Sequence, residues 1–194
     1  MAVGAGATVA RAASEERGLS GYASDAALQA EINRLWLSHD VDLYQRVDMT
    51  VREQRVLLTG AVPDPQTRID AVRLAWQAPG VRDVINEIKI DDTSTLVDET
   101  ADAAIATKLE TRLMFDRSIR AINYSVDVVN GTVYLMGVAQ DQAELDRAIA
   151  YARDMRGVRE VVPHVRLKGE APPPGTRPDG AEPAANPYTA APVL

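Results

Sequence analysis

The side chains that could do chemistry in this chain are few and scattered. His39, Asp40 and Asp42 place one imidazole and two carboxylates close together, the donor types of a small cation site. In a loop after a helix such a trio is ordinarily solvated, so no metal site is expected. His164 stands in the last predicted strand beside Pro163. Cysteine is absent, which removes thiol catalysis, disulfides and Cys-based zinc sites. No Ser/His/Asp spacing, Gly-rich phosphate loop or Cys/His cluster occurs. Carboxylates are spread through the chain, and no pair stands out as acid and base. This inventory predicts no catalytic residue, no metal and no cofactor, and hence a protein that is not an enzyme.

What must position the remaining candidates is a repeat. Residues 25–91 superpose on 102–168 at an offset of 77 without a gap. Asp25-Ala26-Ala27 falls on Asp102-Ala103-Ala104, and Val56, Leu58 and Gly60 fall on Val133, Leu135 and Gly137. Gly80, Val81, Arg82 and Val84 fall on Gly157, Val158, Arg159 and Val161. The period is too long for a solenoid unit and long enough for a small domain with its own core. The organisation read from it is a flexible segment over 1–24, a domain over 25–91, a linker over 92–101, a second domain over 102–168 and a disordered Pro-rich tail over 169–194.

Each copy reads α-β-β-α-β. Leu28, Ile32, Leu35 and Trp36 share one face of a helix over about Asp25–Leu37, with Ser24 as its N-cap. Ile105, Leu109 and Leu113 repeat the stripe. Alternation at Val47, Met49 and Val51, and at Tyr124, Val126 and Val128, predicts a strand. Its partners are Arg55–Ala61 and Thr132–Val138. Asn130-Gly131 links the second pair as a tight hairpin turn; Glu53-Gln54 takes that place in the first copy, where a looser or different turn is expected. Second helices follow Asp64 and Asp141 and end before Gly80 and Gly157, which suit a positive-φ C-terminal turn. Third strands run over 81–90 and 158–167, the latter an edge or bulged strand because it contains Pro163. The fold class is therefore α+β: two tandem domains, each with both helices packed on one face of a three-stranded mixed sheet.

These residues resemble the BON domain. Val-x-Leu-x-Gly at Val56–Gly60 and Val133–Gly137, Gly-Val-x-x-Val at Gly80–Val84 and Gly157–Val161, and the run Asn130–Gly137 carry the likeness. Two in tandem resemble the dual-BON envelope proteins of Gram-negative bacteria, of the DolP and OsmY type. The resemblance implies a non-enzymatic periplasmic protein that binds phospholipid and supports envelope integrity. It also implies outer-membrane anchoring through a lipidated N-terminal cysteine, which would have to lie upstream of this sequence. In such proteins anionic lipid meets the first helix of the second domain, where a tryptophan near its start inserts. The matching position is Ala104, so that aromatic is missing, while Lys108 and Arg112 on the same helix would meet phosphate headgroups.

Charge and the differences between the copies refine this expectation. Net charge is −7 and no basic stripe is present, so nucleic acid is not an expected partner. The first repeat carries 8 basic and 11 acidic residues and the second 10 and 9, that is −3 against +1, so an anionic surface would favour the second. No apolar run reaches the roughly 18 residues of a membrane span, and Met1–Ala13 lacks the basic and hydrophobic regions of a signal peptide. Lys108 and Arg112 lie one turn apart on one face, with Glu110 nearby, which also describes an ordinary solvated helix. Ile69 and Trp76 lie seven apart where repeat two has Asp146 and Arg153, so they are expected to form a partly exposed apolar patch. That patch would meet the other domain, an envelope protein partner or a membrane. The competing function is a soluble periplasmic scaffold that engages proteins through this flank and the Pro-rich tail.

Overall fold

The computed structural model describes residues 18–91 and 96–171. The expected segments over 1–17, 92–95 and 172–194 lie outside them. Two compact units divide at residue 92.

The first unit contains α1 (Gly18–His39), α2 (Val41–Arg46), β1 (Val47–Arg52), β2 (Arg55–Val62), α3 (Pro65–Ala75), β3 (Asp83–Asn86) and β4 (Lys89–Ile90). The second contains α4 (Leu96–Phe115), a short 3-10 turn (Ala121–Asn123), β5 (Tyr124–Val129), β6 (Thr132–Ala139), α5 (Gln142–Arg153) and β7 (Glu160–Leu167). Both sheets are mixed. β2 pairs antiparallel with β1 and parallel with β3 and β4; β6 pairs antiparallel with β5 and parallel with β7. The parallel pairings require a crossover, which α3 and α5 supply.

The helices of the first unit meet one face of its sheet through Leu28, Ile32 and Trp36 of α1, Ala71, Leu74 and Ala75 of α3, and Val56, Leu58 and Val62 of β2. The Trp36 indole N–H donates to the Ala71 carbonyl at 3.1 Å, tying α1 to α3 inside the core. Ile105, Leu109, Leu113, Leu145, Ala148 and Ala152 do the same over Val133 and Leu135. All residues of β2 and β6 are buried, as befits central strands.

Asp64 and Asp141 cap α3 and α5, each carboxylate accepting a backbone N–H three residues on, from Thr67 and Glu144. Gly80 and Gly157 take φ of 95° and 99° after those helices. Gly60 and Gly137 sit at φ 113° and 144° on the central strands, where a Cβ would collide with the carbonyl oxygens of Arg46 and Asn123.

Several expectations need correction. α1 starts at Gly18 and α4 at Leu96, so Ser24 is an interior residue and both helices reach into segments read as flexible or linking. The third strand of repeat one is broken between β3 and β4. There Ile88 turns into the core, and its N–H is satisfied by the Asn86 side chain at 3.2 Å. The repeat-one hairpin is not looser than its counterpart. Glu53 and Gln54 take φ of 54° and 65°, matching Asn130 and Gly131 at 50° and 73°. The reason is tertiary: the buried carboxylate of Asp25, on α1, accepts the N–H groups of Glu53 and Gln54, both at 2.9 Å. Asp102 holds Asn130 and Gly131 in the same way. Two charge-assisted bonds offset the left-handed strain that glycine would avoid.

Candidate functional site

α4 packs Ile105, Leu109 and Leu113 inward, four apart, as an apolar helix face requires. The opposite stripe is Ala104, Lys108, Thr111 and Phe115, all exposed. These positions are spaced i, i+4, i+7 and i+11, so they share one face. The position that the resemblance assigns to an inserting aromatic, Ala104, opens this stripe, and an aromatic closes it at the far end. Phe115 is 81% exposed and its neighbour Met114 72%. Lys108 on the same face, and Arg117 just past the helix, are exposed and make no ion pair among the described residues.

Arg112 is held differently. Its guanidinium donates to Asp154 at 2.8 Å and lies 4.3 Å from the centre of the Tyr151 ring. A cation over an aromatic face, closed by a carboxylate, is a fixed arrangement. Arg112 therefore braces α4 against α5. The brace has a second half. Asp116 accepts the Tyr151 hydroxyl at 2.7 Å and the Ser118 N–H at 2.8 Å, which holds its carboxyl below the usual range. The same bond pushes the Tyr151 phenol up. Phe115 thus sits between two residues anchored to one tyrosine.

Repeat one lacks this arrangement. The positions matching Lys108 and Phe115 are Glu31 and Ser38, and Glu31 is paired with Arg34 at 2.7 Å. The corresponding helix face carries neither a free cation nor an aromatic.

Ile69 and Trp76 do not form one exposed patch. Trp76 is 7% exposed and belongs to the core of the first unit, whereas Ile69 is 54% exposed. Trp76 is the C-cap of α3, still in helical geometry with its N–H donating to the Val72 carbonyl at 3.1 Å, and its indole packs into the core while Ile69 stays exposed. His39 faces Asp70 at 3.8 Å, and the Asp40 carboxylate caps α2 by accepting the Asp42 N–H at 2.8 Å. Those two groups thus have local structural partners.

Met114 and Phe115 were missed in the sequence, although a signal existed. Leu113-Met114-Phe115 is an apolar triplet at a helix end, and the inward stripe needs only Leu113. Among the described residues no helix is long and apolar enough to cross a membrane.

Comparison with known proteins adds the following. The family model described as "BON domain" matches residues 24–92 and again 101–169. The "Uncharacterized protein in gshII 5'region" of Anaplasma centrale is 41% identical over 145 residues, covering 74% of this chain and 95% of that protein. The "Outer membrane lipoprotein DolP" of Haemophilus influenzae is 28% identical, covering 82% of this chain and 83% of that protein. The "Osmotically-inducible protein Y" of Escherichia coli is 24% identical, covering 76% and 74%.

Proposed function

This chain belongs to the BON-domain family, and on that premise we propose that it is a non-catalytic envelope protein that binds anionic phospholipid through α4. The observation that carries the reading is the exposure of Phe115 and Met114 at the end of a helix face bearing Lys108. The relative named as an outer membrane lipoprotein supports the location, at the periplasmic side of the envelope.

Magnitudes say which residues matter. Burying one large apolar side chain contributes roughly 2 kcal/mol, whereas each cation near an anionic surface contributes about 1 kcal/mol. Phe115 and Met114 therefore set the affinity, and Lys108 and Arg117 set the preference for anionic lipid. Arg112, engaged with Asp154 and Tyr151, contributes mainly by orienting the helix end. Ala104 adds little area, so the contact concentrates at the C-terminal end of α4. The sum is that of a reversible peripheral contact, and durable residence at a membrane takes a second anchor.

Flotation with phosphatidylglycerol vesicles tests the reading. The wild-type chain is expected to float with them, Phe115→Glu to remain in the soluble fraction, and Lys108→Glu to bind with weaker affinity and a reduced dependence on salt. Unchanged flotation of Phe115→Glu would overturn it.

A further inference from the structure

Among the described residues, five of the seven large apolar side chains left exposed lie where the first helix of a repeat ends; the other two, Ile69 and Ile90, lie elsewhere in repeat one. In repeat one this corner carries Leu37 on the last turn of α1, with Val41 and Tyr44 on α2. They are 52%, 51% and 41% exposed. Val41 and Tyr44 are three apart and so share a face of α2. Asp40 and Asp42 are exposed beside them. In repeat two the equivalent tip carries Met114 and Phe115, with Arg117 and Arg120 exposed beyond them.

The charges at the two places are opposite. At the 77-residue offset Asp40 becomes Arg117. Over 37–46, Asp40 and Asp42 against Arg46 give −1; over 114–123, Arg117 and Arg120 against Asp116 give +1. Each surface is apolar, and each bears the countercharge of the other.

We infer that the acidic corner of one copy of this chain receives the basic tip of a second copy. The corner's carboxylates disfavour an anionic membrane as its occupant, whereas a protruding aromatic flanked by arginine satisfies both its apolar side chains and its charge. Corner and tip are different surfaces, so the contact is heterologous. A pair joined by one such contact leaves one corner and one tip free, so further copies can add head to tail until the ends meet in a ring. Five apolar side chains make a small interface, below the roughly 1,200 Å² of a stable complex, so the association is weak and concentration-dependent. The basic tip is the same surface proposed to meet anionic phospholipid, so a second copy and a membrane compete for it, whereas the acidic corner takes no part in the lipid contact.

Sedimentation velocity of the full chain across a wide concentration range at low salt tests it. The wild type is expected to show a sedimentation coefficient that rises with concentration. Leu37→Glu with Val41→Glu removes the corner, and Phe115→Glu removes the tip. Each variant alone should stay monomeric, while their equimolar mixture should form one-to-one heterodimers and nothing larger. All three positions are exposed, and far-UV circular dichroism verifies folding. Should either variant misfold, charge reversal replaces them: Asp40→Arg and Arg117→Asp should each stay monomeric alone, while their mixture, in which both contacts are again complementary, should associate. A wild type that stays monomeric throughout, or a mixture of folded variants that stays monomeric, overturns the inference. The corner variant should still float with phosphatidylglycerol vesicles, so its outcome is separable from that of the lipid proposal.

Discussion

The phenolic hydroxyl of Tyr151 donates to Oδ2 of Asp116 at 2.7 Å, joining α5 to the residue that follows Phe115. The ring of the same tyrosine lies beneath Arg112, three residues before Phe115. One side chain on α5 thereby secures both flanks of the most exposed aromatic among the described residues. An apolar tip on a fraying helix end would fold back onto the protein; this one is held outward.

Tyr151→Phe keeps the ring under Arg112 and deletes only the hydroxyl. The Asp116 carboxyl is then expected to titrate closer to its ordinary value, and the backbone around Phe115 to gain motion. Vesicle flotation should weaken while the far-UV spectrum stays the same. Carbon-detected titration of Asp116 and amide relaxation near Phe115 check this, because a general loss of stability would not move one carboxyl alone.

The same bond sets a pH window. Asp116 titrates lower in the folded state, so its contribution is complete above its unfolded value and is lost as pH falls through the folded one, below about 4. Tyr151 titrates higher when folded, so its contribution is complete below its unfolded value and is lost as pH rises through the folded one, above about 10. Urea midpoints of the second unit should hold a plateau between those limits. In Tyr151→Phe the alkaline fall due to this bond should disappear.

The repeat-one turn offers a stabilising substitution. Gln54 at φ 65° bears left-handed strain that Gln54→Gly relieves, making the turn like Asn130-Gly131. The expected gain is about 1 kcal/mol, or roughly 4–8 °C in the melting temperature of so small a unit. Asp25→Ala should act in the opposite sense by about 2–4 kcal/mol, since it leaves two backbone N–H groups without their acceptor. Thermal melts of both variants check the pair of signs.

Gly137→Ala should be severe. The new Cβ meets the carbonyl of Asn123, the last residue of the 3-10 turn before β5, at a φ that alanine rarely adopts. Strain of about 3 kcal/mol or more is a large share of the roughly 5 kcal/mol available to a small unit. Loss of the dispersed amide resonances of 101–169, with those of 24–92 retained, is the expected spectrum.

Trp76 should ignore membranes. It is buried in the core of the first unit, so in a Trp36→Phe background its emission should already be blue-shifted and should not change on adding phosphatidylglycerol vesicles. A vesicle-dependent shift would mean that Trp76 leaves that core.

The repeat made the fold readable. Gly80 and Gly157 mark positive-φ positions after helices, and Asp64 and Asp141 both cap helices, because such signals are local and stand within a few residues of their effect. Interactions between distant residues were not readable. Glu53-Gln54 has no turn signature of its own; Asp25, 28 residues away, confers it. Trp76 reads as solvent-facing because its counterpart Arg153 is charged, but its indole packs into the core of the first unit where that arginine stays exposed. Of the candidate site, spacing alone places Lys108 on an outward helix face, and its role as a headgroup cation comes from the resemblance. The part played by Arg112 was not, since it depends on Tyr151 and Asp154, which only the packing of α5 on α4 brings near.

The outer strands of the two sheets carry a further consequence. β7 presents one fewer donor because Pro163 has no N–H, and the matching strand of repeat one is interrupted between Asn86 and Lys89. Neither offers the unbroken ladder that a foreign strand needs for pairing. Two copies that drifted apart in sequence keep different obstacles at the same margin. At that margin, sheet-to-sheet growth of the kind that leads to fibrils is obstructed in both repeats.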